Sequence, residues 1–352
     1  MKPGGALLWS LALPLALAVV LLFAVNEIAH AQFALPSLST GLTLSSTPEH
    51  PAPNSTVRTS TQSLLVDLAA SNITWYVNGV VIADGVGVTE TSVVLGPLGS
   101  ETVVRVEVRG EGALASATGV FRPTEMELLW EGDSYVPPFY RGRALPTAGG
   151  SMRIFAIPHF LRPGSSSFTS PDELIYTWRK NNRIIQSVRG RGQHSITMDA
   201  PVLFGTDTIS VEARTADGAL RGFASVRISS VEPTLILYEN HPIFGVLYHR
   251  ALASGASIPE TEVAFSAVPY FAPVQNPDSG LLSFEWRVNN TAVTSNPVRP
   301  STITLNAEGT DGRATLELTL THVTNFFLSA KNAWSITLAG IGGSALSDPF
   351  RQ

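Results

Sequence analysis

The chain has 352 residues, enough for roughly two or three domains, with 44 % apolar residues, 14 % charged residues and a formal net charge of −5. That composition excludes a disordered polyelectrolyte, and the acidic balance gives no general attraction to nucleic acid or anionic lipid. Cysteine is absent, which excludes disulfides, thiolate zinc sites, thiol catalysis and a lipid-modified N-terminal cysteine.

Residues 1–31 read as an export signal. Lys2 precedes an apolar stretch from Ala6 to Val25, and Ala29-His30-Ala31 places small residues where a signal peptidase reads them, with the cut before Gln32. The apolar run is also long enough to span a bilayer, so the segment reads either as a cleaved signal or as an uncleaved anchor. Both place residues 32–352 outside the cytoplasm, secreted or attached to the envelope. Residues 32–55, rich in Ser, Thr and Pro, are expected to include a loose leader before the first strand.

Repetition dominates the remainder. Ile73-Thr74-Trp75-Tyr76-Val77-Asn78-Gly79 returns as Tyr176-Thr177-Trp178-Arg179-Lys180-Asn181-Asn182 and as Phe284-Glu285-Trp286-Arg287-Val288-Asn289-Asn290. The tryptophans stand 103 and 108 residues apart, the length of one small β-sandwich. Strand side chains alternate, so the residue two before each tryptophan shares its face. Asn-Gly and Asn-Asn tolerate positive φ and predict a tight hairpin into a short second strand. Farther on, Val104, Val106 and Val108 alternate with polar residues, as do Ile209, Val211 and Ala213, and Leu316, Leu318 and Leu320. One apolar and one wet face predict antiparallel sheets. Gly99-Ser100-Glu101, Gly205-Thr206-Asp207 and Gly309-Thr310-Asp311 read as turns before those strands. The second and third copies are the closer pair: Ile157-Pro158-His159-Phe160 matches Val268-Pro269-Tyr270-Phe271.

With these hairpins and strands in place, each copy resembles an immunoglobulin-like domain of the PKD type, and the whole resembles bacterial surface or secreted proteins built from such domains in tandem. The resemblance implies three tandem antiparallel sandwiches with Trp75, Trp178 and Trp286 in their cores, and no catalytic residue. The expected division is 32–122, 123–231 and 232–339, with boundaries near Pro123 and Pro233 and a frayed tail over 340–352. Two departures stand out. The acidic Gly-Asp-Gly turn of the PKD pattern is missing, and Lys180 occupies the place of the apolar Val77 and Val288.

Catalytic signatures are missing: there is no Gly-x-Ser-x-Gly, His-Glu-x-x-His, P-loop or Gly-x-Gly-x-x-Gly after a strand. The expectation is a non-enzymatic spacer and interaction protein without cofactor or metal, meeting a protein or glycan partner in the cell envelope. His241 and His249 could meet as a metal pair, but no third ligand suggests itself. The acidic corners supply one carboxylate each, short of what calcium needs. Asn54, Asn72 and Asn289 lie in glycosylation sequons. Arg179, Lys180, Arg183, Arg189 and Arg191 form the densest basic cluster, a candidate anion site that gives the alternative of a wall-glycan or polyanion binder. Two aromatic-rich stretches, with Tyr135, Phe139 and Tyr140 in one and Phe244 and Tyr248 in the other, are candidates for partner docking. A plainer reading packs them against the preceding unit. Docking by these stretches to a secretion or pilus machine is a further alternative.

Overall fold

The computed structural model describes residues 41–110, 113–258, 262–307, 312–326 and 328–338. The expected signal segment, the tail over 340–352 and the Gly309-Thr310-Asp311 corner lie outside them. Among the described residues the chain is all-β, with 24 strands and no α-helix.

The strands group into three consecutive pairs of sheets. β1 (Leu42–Thr47), β2 (Thr56–Ser63), β3 (Asn72–Val77), β4 (Val80–Val86), β5 (Glu90–Val94), β6 (Thr102–Gly110) and β7 (Ala113–Phe121) form sheets ordered β1-β2-β5 and β4-β3-β6-β7. β8 (Glu125–Gly132), β9 (Ser151–His159), β10 (Ile175–Lys180), β11 (Arg183–Ile184), β12 (Gly190–Arg191), β13 (Ser195–Asp199), β14 (Thr206–Arg214) and β15 (Arg221–Ser229) form the second pair. Its sheets run β13-β9-β8 and β11-β10-β14-β15, with β12 also paired to β10. The third pair holds β16 (Thr234–His241), β17 (Gly245–Ala251), β18 (Ala256–Ile258), β19 (Glu262–Tyr270), β20 (Leu282–Val288), β21 (Thr291–Val293), β22 (Thr302–Asn306), β23 (Gly312–His322) and β24 (Ser329–Leu338). These run β17-β16-β19-β22 and β18-β24-β23-β20-β21. By compactness the chain divides into two units. The described residues of one lie within Met1–Glu49, Thr56–Val94 and Thr102–Phe121. The other takes His50–Ser55, Leu95–Glu101 and the chain from Arg122 on, and so holds the second and third sandwiches together.

Each sandwich is organised around its tryptophan for the reason the alternation gives. Trp75 and Trp178 are fully buried and Trp286 is 2 % exposed, with Ile73, Tyr176 and Phe284 beside them. Burying an indole of about 200 Å² is worth at most roughly 5 kcal/mol at about 25 cal/mol/Å². The polar indole N–H needs a partner in such a core, and each finds one: Val88 O at 2.8 Å, Gln193 O at 2.7 Å and Pro300 O at 3.0 Å. The apolar teeth of β6, β14 and β23 (Val104, Val106 and Val108; Ile209, Val211 and Ala213; Leu316, Leu318 and Leu320) are all fully buried.

The three hairpins share a device that also explains why asparagine opens each of them. Asn78, Asn181 and Asn289 all have φ of 49° and are followed by a second residue of positive φ. Their backbone N–H groups donate to Val103 O, Thr208 O and Thr315 O at 2.8–2.9 Å. Their side-chain oxygens accept from the N–H of the same three residues at 2.9, 2.8 and 2.9 Å. Glycine would supply the φ but not the acceptor. Asn289, the sequon residue, is committed to this clamp; Asn72, also in a sequon, donates to Asp84 Oδ1 at 3.1 Å.

Three local expectations are corrected. The supposed leader already contains β1, because Leu42 is buried and the following Ser/Thr run pairs with β2. Between the strands named here, antiparallel pairing has one exception, β18 with β24, where the chain leaves edge strand β17 and lies along the last strand of the opposite sheet. Thr206 and Asp207 belong to β14 rather than to a turn. Asp207 is 8 % exposed, with its Oδ2 2.8 Å from Lys180 Nζ and its Oδ1 2.8 Å from Asn181 Nδ2. Lys180 pairs with Ile209 just as Val77 pairs with Val104 and Val288 with Leu316, so its register is unchanged. Its charge is met by Asp207, which stands where the first sandwich has Thr102 and the third has Ala314.

Candidate functional site

The β8–β9 connection, residues 133–150, departs from a simple loop because its backbone has partners at both ends. Gly132 N–H donates to Ala144 O and Asp133 N–H to Ser151 O, each at 2.8 Å, which folds the segment back on itself. Its middle is tied to the third sandwich. Tyr135 N–H donates to Ala272 O at 2.8 Å, and Phe271 N–H donates to Tyr135 O at 2.7 Å. Asp133 accepts from Gln275 Nε2 at 2.7 Å, Thr147 Oγ1 donates to Phe271 O, and Asn325 Nδ2 donates to Ala148 O at 2.9 Å. The half-buried Tyr135 ring packs onto the core of the third sandwich. This stretch therefore joins the following sandwich, not the preceding one. The sequence could not show the direction, because both neighbours offer apolar ends.

The other stretch, His241–Leu252, is a hairpin in which β17 is the edge of its sheet. Tyr248 lies 5.6 Å from the Tyr238 ring. Burial first, and then the neighbouring Tyr248 hydroxyl, raise the Tyr135 phenol above its ordinary range. Tyr140 meets Tyr270 and Phe271 edge-on at 5.7 and 6.0 Å, and the Tyr238 and Tyr270 hydroxyls are 2.7 Å apart. The aromatic residues of the two stretches thus meet. Phe139, Tyr140, Phe244 and Tyr248 line an open groove of about 670 Å³ with Tyr270, and the phenol of the half-buried Tyr135 neighbours Tyr248. Arg141 and His249 complete the polar rim.

Two features mark this groove as more than a joint. Phe139 is 93 % exposed and Phe244 75 %, and adjoining exposed aromatics are uncommon on a surface that serves only solvent. Phe139 also holds φ at 67°, a region that costs a bulky residue about 1 kcal/mol or more. Tyr270 and Arg141 were not singled out in the sequence, and His249 was considered only as a metal partner of His241. Tyr270 was visible only as a repeat partner of His159, and nothing local indicated that it would meet residues 130 positions away.

The remaining candidates separate. Arg179 points to the outer face of β10 and pairs with Glu212 at 3.4 Å, whereas Lys180 points to the core side and pairs with Asp207. Arg183 lies opposite Lys180, and Arg191 opposite Ile175 on the outer face. Arg183, Arg189 and Arg191 are exposed, so the five residues do not form one patch. His241 is held by its hairpin: its Nδ1 accepts from Ile243 and Phe244 N–H at 3.1 and 3.3 Å, and its ring stacks on Phe244 at 4.8 Å. It pairs with Gly245 at the turn, about four strand residues or ~13 Å short of His249, so the two do not converge. Glu101 pairs with Arg122 at 2.7 Å; both described acidic corners are occupied by cations of the chain itself.

No family model matches the sequence, and no curated protein matches it. Among solved structures it is similar to the three N-terminal domains of the bacteriophage RB49 highly immunogenic outer capsid protein, at 11 % identity over 86 % of this chain and 99 % of that one, TM-score 0.24. It is also similar to a Bacteroides ovatus protein, SGBP-B of the mixed-linkage glucan utilization locus, in complex with a mixed-linkage heptasaccharide, at 12 % identity over 85 % and 70 %, TM-score 0.23. A third is the central fibronectin-III array of RIM-binding protein, at 11 % identity over 83 % and 95 %, TM-score 0.23. The likeness is to tandem immunoglobulin-like and fibronectin-III β-sandwiches.

Proposed function

We propose that the protein is a non-enzymatic extracytoplasmic interaction module, three sandwiches divided near Pro123 and Pro233, that presents the aromatic groove to a protein or glycan of the cell envelope. The observation that carries this reading is the convergence of two separate aromatic stretches on one open groove whose outermost rings, Phe139 and Phe244, remain in solvent. Aromatic anchors of this kind supply large contact area at low entropic cost. A photo-crosslinking residue at Phe244 in the native cell tests it. A discrete adduct that disappears when Phe139→Ala and Tyr140→Ala are added is expected. The same adduct pattern from a crosslinker at Leu129, an exposed position on β8, would overturn it.

A further inference from the structure

The outer face of the second sandwich's β10–β14–β15 sheet carries a charge arrangement that nothing in the fold requires. Counting across the strands, Arg191 stands opposite Ile175, Ile175 opposite Arg214, and Arg214 opposite Arg221. Residues directly opposite share a face, so three guanidiniums lie in one row across four strands. Arg214 and Arg221 are about 5 Å apart at their origins, and Arg191 is about 10 Å from Arg214. Arg227, opposite Thr208, adds a fourth on the same face. Arg179 is a fifth cation there, and Glu212 is the single carboxylate, already paired with it. Asp217, in the turn before β15, is held by Arg162 at 2.7 Å. The other four guanidiniums have no carboxylate within 4.0 Å among the described residues.

Like charges directly opposite on a sheet destabilise it, and the corresponding faces of the neighbouring sandwiches avoid this. In the first, Glu107 lies between Arg105 and Arg109 and pairs with both. In the third, Arg287 stands opposite Glu317, which also pairs with Lys331 at 3.5 Å. Among the described residues, only the second face opposes arginine to arginine. Between the cations stand hydroxyl side chains that reach solvent, Thr177, Thr208 and Ser225, able to bond sugar hydroxyls. The face's exposed ring, Phe223, is stacked against His50 at 5.8 Å rather than open to a nucleobase.

We infer that this face binds an acidic polysaccharide, whose repeated anionic groups supply the carboxylates or sulfates the arginine row lacks. The site is distinct from the aromatic groove and does not depend on it. Titration calorimetry of residues 32–352 with dextran sulfate, neutral dextran and duplex DNA in low salt tests it. Binding to dextran sulfate and not to neutral dextran is expected. Arg214→Ser with Arg221→Ser is expected to weaken it by about ten-fold or more, while leaving the melting temperature unchanged or raised because a repulsion is removed. Arg299→Ser with Arg313→Ser, an equal loss of charge elsewhere, leaves affinity within about two-fold. Absent binding, equal loss in the two double variants, equal binding of neutral dextran, or tighter binding of DNA would each overturn the assignment.

Discussion

Lys180 and Asp207 replace an apolar contact of the first and third sandwiches with an ion pair, and removing one partner should hurt more than removing both. The ammonium side chain is 33 % exposed and the carboxylate 12 %. Breaking a fully buried pair costs about 3–5 kcal/mol; here the exposure of Lys180, and the Asn181 amide that still serves Asp207, reduce this. Lys180→Val alone leaves a buried carboxylate with one neutral donor and is expected to cost about 1–2 kcal/mol. Asp207→Ala alone leaves a lysine that can turn to water and costs about 0.5–1 kcal/mol. The double variant restores the valine of the first and third sandwiches and the alanine of the third, and is expected within about 0.5 kcal/mol of the parent or above it. The coupling is then about 1–3 kcal/mol. Urea unfolding followed by tryptophan fluorescence measures it, Trp178 lying two residues from Lys180. In a thermal scan, each kcal/mol corresponds to about 2–4 °C for a unit of this size. Additive single effects, with coupling below about 0.3 kcal/mol, would refute the account.

Three further outcomes are expected. Asn181→Gly keeps the positive φ but loses both the acceptor for Thr208 N–H and the donor to Asp207, costing about 1–2 kcal/mol, and Asn181→Ala costs about 1 kcal/mol more through its φ; paired melting curves separate the two. The Tyr135, Tyr176 and Tyr270 phenols are all raised above their ordinary range, chiefly by burial, so their contribution is intact below pH 10 and is lost as pH rises above it. Ultraviolet titration should show part of the seven tyrosines ionising only with unfolding, and simultaneous ionisation near pH 10 in the folded protein would contradict this. His322 is lowered from its ordinary value by burial, and its Nδ1 accepts from Thr324 and Asn325 N–H at 3.3 and 3.1 Å. The folded state thus prefers the neutral ring, and stability falls as pH drops below about 6.5. His322→Asn, which keeps an acceptor there without titrating, should flatten the acid side of the melting profile.

What the sequence made legible was local. Trp75, Trp178 and Trp286 could be placed because period-two alternation and Asn-led turns are written within ten residues of each other. The aromatic positions were legible as a composition, but their meeting was not: Phe139 and Phe244 come to one groove through ties such as the pairing of Tyr135 with residues 271 and 272. Lys180 stood out as a departure from the apolar pattern because its compensation, Asp207, lies on another strand, 27 positions on. The arginine row was hidden for the same reason. Arg191, Arg214 and Arg221 come from three strands, and only cross-strand register shows that they share a face.

The bonds between Tyr135 and residues 271–272 bear on the order in which the chain can mature. A polypeptide that emerges from its N-terminus completes β8 and β9 long before β19 exists. Until then the 133–150 connection has its aromatic rings uncovered and its Tyr135 backbone groups served only by water. The second sandwich can close its own core early, but this connection must wait for a partner more than a hundred residues behind it. During that interval the segment is open to holding chaperones and to proteases. A chain interrupted before Phe271 would therefore present the same aromatics as an adhesive loop that the finished chain turns into one wall of a groove.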